Sequence, residues 1–184
     1  MNHYKSKNQK FTTGFTLVEI LVSMTITILL SMLVIQGFSR SRGDVIGTSA
    51  LIRGAIREAQ GMALAGLQVG GVYRCGFGVH FILNPPSYII FAGPNSANNG
   101  CSGYGKIYQS GSDTIISTRT MPGNIFIEPS SGDIYFEPPL PTTSINGVST
   151  YGVTGTIVVR RIGGSVCPSN DCASINVSTS GTIE

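Results

Sequence analysis

Glu19 is the side chain in this sequence with the most chemistry to explain. It is the only charged residue in the apolar run 15–38, and a charge at the centre of a bilayer costs about 2.5–3.5 kcal/mol or more. Such a carboxylate needs a partner, and ion pairing is the chemistry it offers. The other reactive types are few. Cys75, Cys101, Cys167 and Cys172 point to disulfides in an exported domain. Cys167 and Cys172 enclose the short loop Pro168-Ser169-Asn170-Asp171 between two predicted strands, which favours that pair and leaves Cys75 with Cys101. Four cysteines still allow three pairings. A zinc site is the alternative use of the thiols, and it lacks histidine support because His80 stands alone on a strand.

No catalytic constellation emerges from the remaining candidates. His80 reads as a strand-face residue rather than a base. Gly76-Phe77-Gly78 lies inside a strand pattern and opens no helix, so it is not a phosphate loop. Asp113, Asp133 and Asp171 lack the spacing of a calcium loop. Asn176-Val177-Ser178 fits a glycosylation sequon but sits in a predicted strand, and Arg160-Arg161 reads as a solvated pair at a strand end. The expectation is a chain that is not an enzyme, with no cofactor and no metal.

The string Gly14-Phe15-Thr16-Leu17-Val18-Glu19, preceded by Lys5, Lys7 and Lys10, resembles the processing site of type IV prepilins and type II secretion pseudopilins. The resemblance implies that a membrane aspartic peptidase cuts after Gly14 and N-methylates the new first residue, Phe15, drawing on S-adenosylmethionine. Glu19 then occupies mature position five, the assembly and registry carboxylate. The implied partners are the prepilin peptidase/methyltransferase, other pilin or pseudopilin subunits, an inner-membrane assembly platform and membrane lipid. The implied function is a structural subunit of a type IV pilus or a type II secretion pseudopilus. The tail 175–184 resembles the closing strand of the minor pseudopilin H and fimbrial T family, with Thr182 where a basic residue is usual. Ala59–Ala65 after Arg57-Glu58 is similar to that family's alanine-rich helix, which suggests a minor subunit. The resemblance leaves secretion, adhesion, motility and DNA uptake open.

Cleavage would give Phe15 a free α-amine, which ordinarily titrates near pH ~8 and is cationic at neutral pH. Phe15 and Glu19 are four residues apart, on one helix face. The carboxylate can meet its own amine or that of a neighbouring copy, and the second option sets an axial register. Charge narrows the partners further. The formal net charge of +3 comes from the three leader lysines, whose removal leaves nine basic against nine acidic residues. A near-neutral mature chain argues against nucleic acid, so a DNA-uptake pilin is the alternative reading rather than the first.

The elements that position these residues follow from periodicity. The run 15–38 is long enough to span a bilayer, which takes about 20 residues, and the leader lysines would keep the N-terminus cytoplasmic. That implies a single-pass inner-membrane protein whose globular part is exported. Leu51, Ile52, Ala55, Ile56, Ala59, Met62 and Ala63 recur at helical spacing. Gly37, Gly43, Gly47 and Gly54 weaken the helix by about 1 kcal/mol each. From Val72 the period changes to two: Cys75, Phe77, Val79, Phe81 and Leu83 alternate with small or polar residues. Strands are also predicted at 88–91, 157–161 and 175–179, with a hairpin of 125–128 and 134–136 around Ser130-Ser131-Gly132-Asp133. The stretches 93–111 and 138–150 read as surface loops. The expected organisation is a leader at 1–14, a transmembrane helix at 15–38, its amphipathic continuation at 39–71 and a β-rich domain at 72–184. The expected class is α+β and pilin-like: a long N-terminal transmembrane helix packed against one small antiparallel sheet.

Overall fold

The computed structural model describes residues 16–97, 101, 103–139, 142–169 and 171–184, with the backbone but not the side chains of 34–42. The chain divides into two compact units, Met1–Ser39 and Arg40–Glu184. Helix α1 (Leu17–Leu64) contributes to both.

Thr16 begins α1 by capping it. Its Oγ1 accepts the Glu19 backbone N–H at 3.3 Å, satisfying one of the donors that the first turn leaves without an intrahelical partner. In the first unit every described side chain of 17–33 is exposed. The helix ends at Gly66. There φ is +57°, the Leu67 N–H reaches the Met62 carbonyl at 3.2 Å and the Gly66 N–H reaches that of Ala63 at 3.1 Å. This pair of bonds closes the last turn around a left-handed residue that glycine adopts without a steric penalty. The backbone stays helical through Gly43, Gly47 and Gly54.

In the second unit one face of α1 is buried: Val45, Ile52, Ala55, Ile56, Ala59 and Ala63. Their three- and four-residue spacing makes a single apolar stripe, and the alanines let strands approach closely. Among the described residues ten antiparallel strands follow: β1 (Gln68–Val69), β2 (Val72–Tyr73), β3 (Phe77–Ile82), β4 (Ser87–Ala92), β5 (Thr114–Thr120), β6 (Ile125–Pro129), β7 (Asp133–Glu137), β8 (Thr142–Ile145), β9 (Thr154–Arg161) and β10 (Cys172–Ser178). They form three sheets in the orders β1-β2, β10-β9-β6 and β5-β4-β3-β7-β8. The core joins the helix stripe to Phe77, Val79, Phe81, Ile134 and Phe136 of the larger sheet. It also takes in Ile127, Ile157, Val159, Ile175 and Val177 of the three-stranded sheet.

This architecture corrects the expected class of one transmembrane helix on one small sheet. The second unit is mainly β, and its strands are shared among three sheets. The physical reason lies at Ser130-Ser131-Gly132. The expected hairpin does not close there, because β6 pairs with β9 while β7 pairs with β3 and β8. The Ser130 N–H goes to the Thr156 carbonyl at 2.7 Å and the Gly132 carbonyl accepts the Phe81 N–H at 2.8 Å. The short segment therefore crosses from one sheet to the other.

No helix among the described residues is long and apolar enough to cross a membrane. The expectations of a transmembrane helix and of a single-pass inner-membrane location are corrected accordingly. Two expected loops also carry structure. Part of 138–150 is β8, which turns at Asn146-Gly147 with φ of +49° and +78°, the geometry of a two-residue hairpin turn. Part of 93–111 packs on the larger sheet.

Candidate assembly site

Glu19 sits in the first turn of α1, where a carboxylate favours the positive end of the helix dipole. It is exposed. Gly14 and Phe15 lie outside the described residues. The cap was missed at the sequence level although its signal is present: Thr16-Leu17-Val18-Glu19 has the spacing of a capping box ahead of an apolar run. The Glu19 backbone N–H thus takes part in the cap, while its carboxylate presents a charge.

The exposed stretch is apolar around its whole circumference, from Leu17, Ile20, Leu21 and Met24 to Ile28, Leu29 and Leu33. Its polar side chains are turned onto their own backbone. Ser23 donates to the Ile20 carbonyl at 2.9 Å and Thr25 to that of Val22 at 2.8 Å. Thr27 donates to Ser23 at 2.7 Å and Ser31 to Thr27 at 2.8 Å. Each hydroxyl proton is satisfied without solvent, so the surface can be covered by apolar groups without stranding a donor.

The cysteines pair as Cys75–Cys101 and Cys167–Cys172, with Cα separations of 5.3 and 5.5 Å. None of the four is a free thiol. The first bridge ties the segment before β3 to the long β4–β5 connection. The second clips the β9–β10 connection. Disulfides of this kind persist in oxidising compartments.

Charged residues that looked scattered in the sequence converge on the β4–β5 connection. Asp133 is 5% exposed, and its Oδ1 accepts from the Tyr108 backbone N–H at 3.1 Å and from His80 Nδ1 at 2.9 Å. A carboxylate cannot donate, so the imidazole carries its proton on Nδ1. The His80 ring stacks on Tyr108 with centroids 4.8 Å apart. Asp113 accepts from the Tyr104 hydroxyl and the Gln109 N–H, both at 2.7 Å. Lys106 pairs with Glu137 at 2.7 Å. Tyr104 and Tyr108 thereby pack with Ile89, Phe91 and Tyr135 as a second apolar cluster. Burial, then the bond to Asp113, raises the Tyr104 phenol well above its ordinary range. Burial, then the charge of Glu137, raises that of Tyr135. No sequence periodicity marks this cluster, because its members come from three strands and a loop.

The close approach also explains Gly76-Phe77-Gly78. A Cβ at Gly78 would lie 2.6 Å from the Phe91 ring and 2.7 Å from the Ile134 carbonyl, and one at Gly76 would lie 2.7 Å from the Tyr135 ring. The glycines make room for aromatic rings. Arg160 likewise has local partners: its Nε is 3.4 Å from Glu128 and its guanidinium lies 4.9 Å above the Phe126 ring, which corrects its reading as a solvated residue. Asn176 and Ser178 are half-buried on β10.

No protein-family model matches this chain, and no curated protein or solved structure matches it either.

Proposed function

We propose that this chain is a structural subunit of a pilin-like filament, a type IV pilus or type II secretion pseudopilus, in which it is a minor component. The observation that supports this reading most is the stretch 17–33, exposed and apolar on all sides with its hydroxyls bonded internally. A helix that is hydrophobic all round is covered in its working state, and the occupants in this reading are the equivalent segments of neighbouring subunits. Processing after Gly14 places the Phe15 amine four residues from Glu19, so each carboxylate has a cation to meet at the subunit contact. The disulfide-tied unit Arg40–Glu184 is the part presented outward. The chain performs no chemistry of its own; cleavage and methylation belong to the prepilin peptidase/methyltransferase.

Intact mass of the processed protein tests this directly. The expected species begins at an N-methylated Phe15, and Gly14→Lys leaves the leader attached because a long cation does not fit a site shaped for a residue without a side chain. A mature species with a different first residue overturns the reading.

A further inference from the structure

Helix α1 carries glycines for which its own fold has no use. Gly43, Gly47, Gly54 and Gly61 are exposed, and a Cβ built on any of them meets nothing within 4 Å among the described residues. None of them adopts a left-handed backbone. Glycine is among the poorest helix formers, so these positions weaken α1 without any close approach inside the chain to explain them. Gly43, Gly47, Ala50 and Gly54 are spaced four, three and four residues apart. That spacing sets them on one face of the helix, opposite the buried stripe of Ile52, Ala55, Ile56 and Ala59. Ile46 and Leu51 stand on either side of Gly47 and Ala50, and both are more than half exposed. The result is a shallow groove with apolar walls and a floor of bare backbone, a surface that lets a second helix approach closely. The polar side chains nearest to it are engaged elsewhere, Asp44 with Asn124 and Arg53 with the Ser174 carbonyl.

The complement of this groove lies in the same sequence. Val22, Ile26, Leu29 and Leu33 repeat the spacing of four, three and four, and each is more than half exposed. When a parallel copy is displaced by 21 residues, the interval from Val22 to Gly43, every large side chain falls on a small one. Ile26 then meets Gly47, Leu29 meets Ala50 and Leu33 meets Gly54. Parallel helices that pack on a seven-residue repeat bring equivalent positions face to face, and this displacement is three such repeats. One repeat more would set Leu29 against Arg57, and one fewer would set Ile26 level with Arg40. The three-repeat displacement instead brings Glu19 level with Arg40, so the one charge of the apolar run falls at a position of opposite sign.

We propose that the groove from Gly43 to Gly54 seats the stretch 17–33 of a second copy, parallel and displaced by three heptads, about 32 Å at 1.5 Å per residue. The contact is heterologous. It leaves each copy with one free groove and one free stretch, so it repeats without closing and builds a filament. The inference rests on the filament reading and assigns the surface through which its subunits join.

Cysteine pairs test the displacement on the full chain, processed and assembled in its own cell. The native cysteines are already bridged, so added thiols report new contacts. Oxidation of Ile26→Cys with Gly47→Cys, and of Leu33→Cys with Gly54→Cys, should give a ladder of covalent multimers. Its yield should be at least tenfold that of Ile26→Cys with Gly54→Cys, a pair one heptad out of place. A second measurement is steric. Gly47→Leu should lower the multimer yield at least tenfold while the chain stays folded, since the added side chain meets open space. Circular dichroism checks the fold, with Ala50→Leu as the second variant should Gly47→Leu unfold. Adding Ile26→Ala to Gly47→Leu should restore part of the yield. Gly61→Leu, beyond the reach of Leu33 at this displacement, should leave it at the parental level. Multimers of chains that begin at Phe15 and form normally in Gly47→Leu, or a ladder no stronger for the matched pairs than for the shifted one, overturn this contact and leave the filament reading standing. A parent chain that forms no multimers after processing overturns both.

Discussion

His80 and Asp133 face each other directly across β3 and β7, joined at 2.9 Å, and the same carboxylate oxygen holds the Tyr108 backbone N–H. One buried carboxylate therefore fastens a strand and a distant loop together. Asp133→Ala strands both donors, and a hydrogen bond to a charged group contributes about 1.5–3 kcal/mol. The expected outcome is a loss of that size in urea unfolding, with faster amide exchange confined first to the residues around Tyr108.

Tyr135→Phe should behave in the opposite sense. Its hydroxyl is buried with no partner among the described residues. Removing an unsatisfied buried polar atom while keeping the ring is neutral or stabilising. A thermal midpoint equal to or above that of the parent is expected; a fall of several degrees would mean that the hydroxyl is bonded.

Gly78→Ala tests the packing of the second apolar cluster. The added methyl meets the Phe91 ring and a strand carbonyl on opposite sides, so neither can yield without disturbing β4 or β7. Overpacking of this kind costs about 1–3 kcal/mol. Calorimetry should record the loss, and the double variant Gly78→Ala with Phe91→Leu should recover part of it.

The two disulfides should contribute unequally. Cys75 and Cys101 are 26 residues apart and Cys167 and Cys172 are 5 apart. Loop-closure entropy gives about 3.5 kcal/mol for the first and about 2 kcal/mol for the second. Paired Cys→Ser variants, unfolded under identical conditions, should show the larger loss for Cys75–Cys101.

Alkaline pH should destabilise the second unit. Tyr88, Tyr104 and Tyr135 all have folded-state pKa values raised above 10.0 by burial. For an acid raised in this way the contribution is fully present below pH 10 and is lost as pH climbs toward the folded values, because the unfolded chain releases its protons first. Stability should stay flat through neutrality with respect to these groups and fall above pH 10. Tyr104→Phe should blunt the fall, and the part of the tyrosinate absorbance that Tyr104→Phe removes should appear together with unfolding rather than before it.

At Glu19 the filament reading predicts a separation between processing and assembly. Glu19→Ala should still be cleaved, since Gly14 and the leader are unchanged. Crosslinks between N-terminal residues of adjacent subunits should drop, and Glu19→Gln should resemble Glu19→Ala if charge rather than shape sets the register. Equal crosslinking in all three proteins would remove Glu19 from the assembly step.

Some of the elements that could be read from sequence bury one face, whereas β4 and β7, buried on both, were marked by short runs of β-branched and aromatic residues. Phe77, Val79 and Phe81 alternate because one face of β3 meets the core, and Ile52, Ala55, Ile56 and Ala59 repeat at helical spacing for the same reason. The failures have equally specific causes. Thr114-Ile115-Ile116-Ser117-Thr118 is an edge strand carrying few buried residues, so its alternation is faint. Ser130-Ser131-Gly132 has turn composition whether it closes a hairpin or crosses between sheets, and only the partners in β3 and β9 decide. Asn146-Gly147 did carry a hairpin signal, hidden inside a stretch rich in proline and threonine. Among the site residues, Glu19 stood out because its charge contradicts its surroundings. Asp113 and Asp133 did not, since their partners lie on segments that only the fold brings near.

The way α1 is fastened in the second unit has a mechanical consequence. Asp44, Arg53 and Gln60 are spaced along the helix and bond respectively to Asn124, to the Ser174 carbonyl and to the Gly181 carbonyl, with the apolar stripe from Val45 to Ala63 between them. A tensile force applied along the helix axis loads these attachments together, in shear. They cannot be peeled one at a time from that direction, so rupture requires sliding the whole buried stripe past the sheets. Traction along α1 meets a stiff, cooperative joint, whereas a sideways pull at either end would undo it link by link.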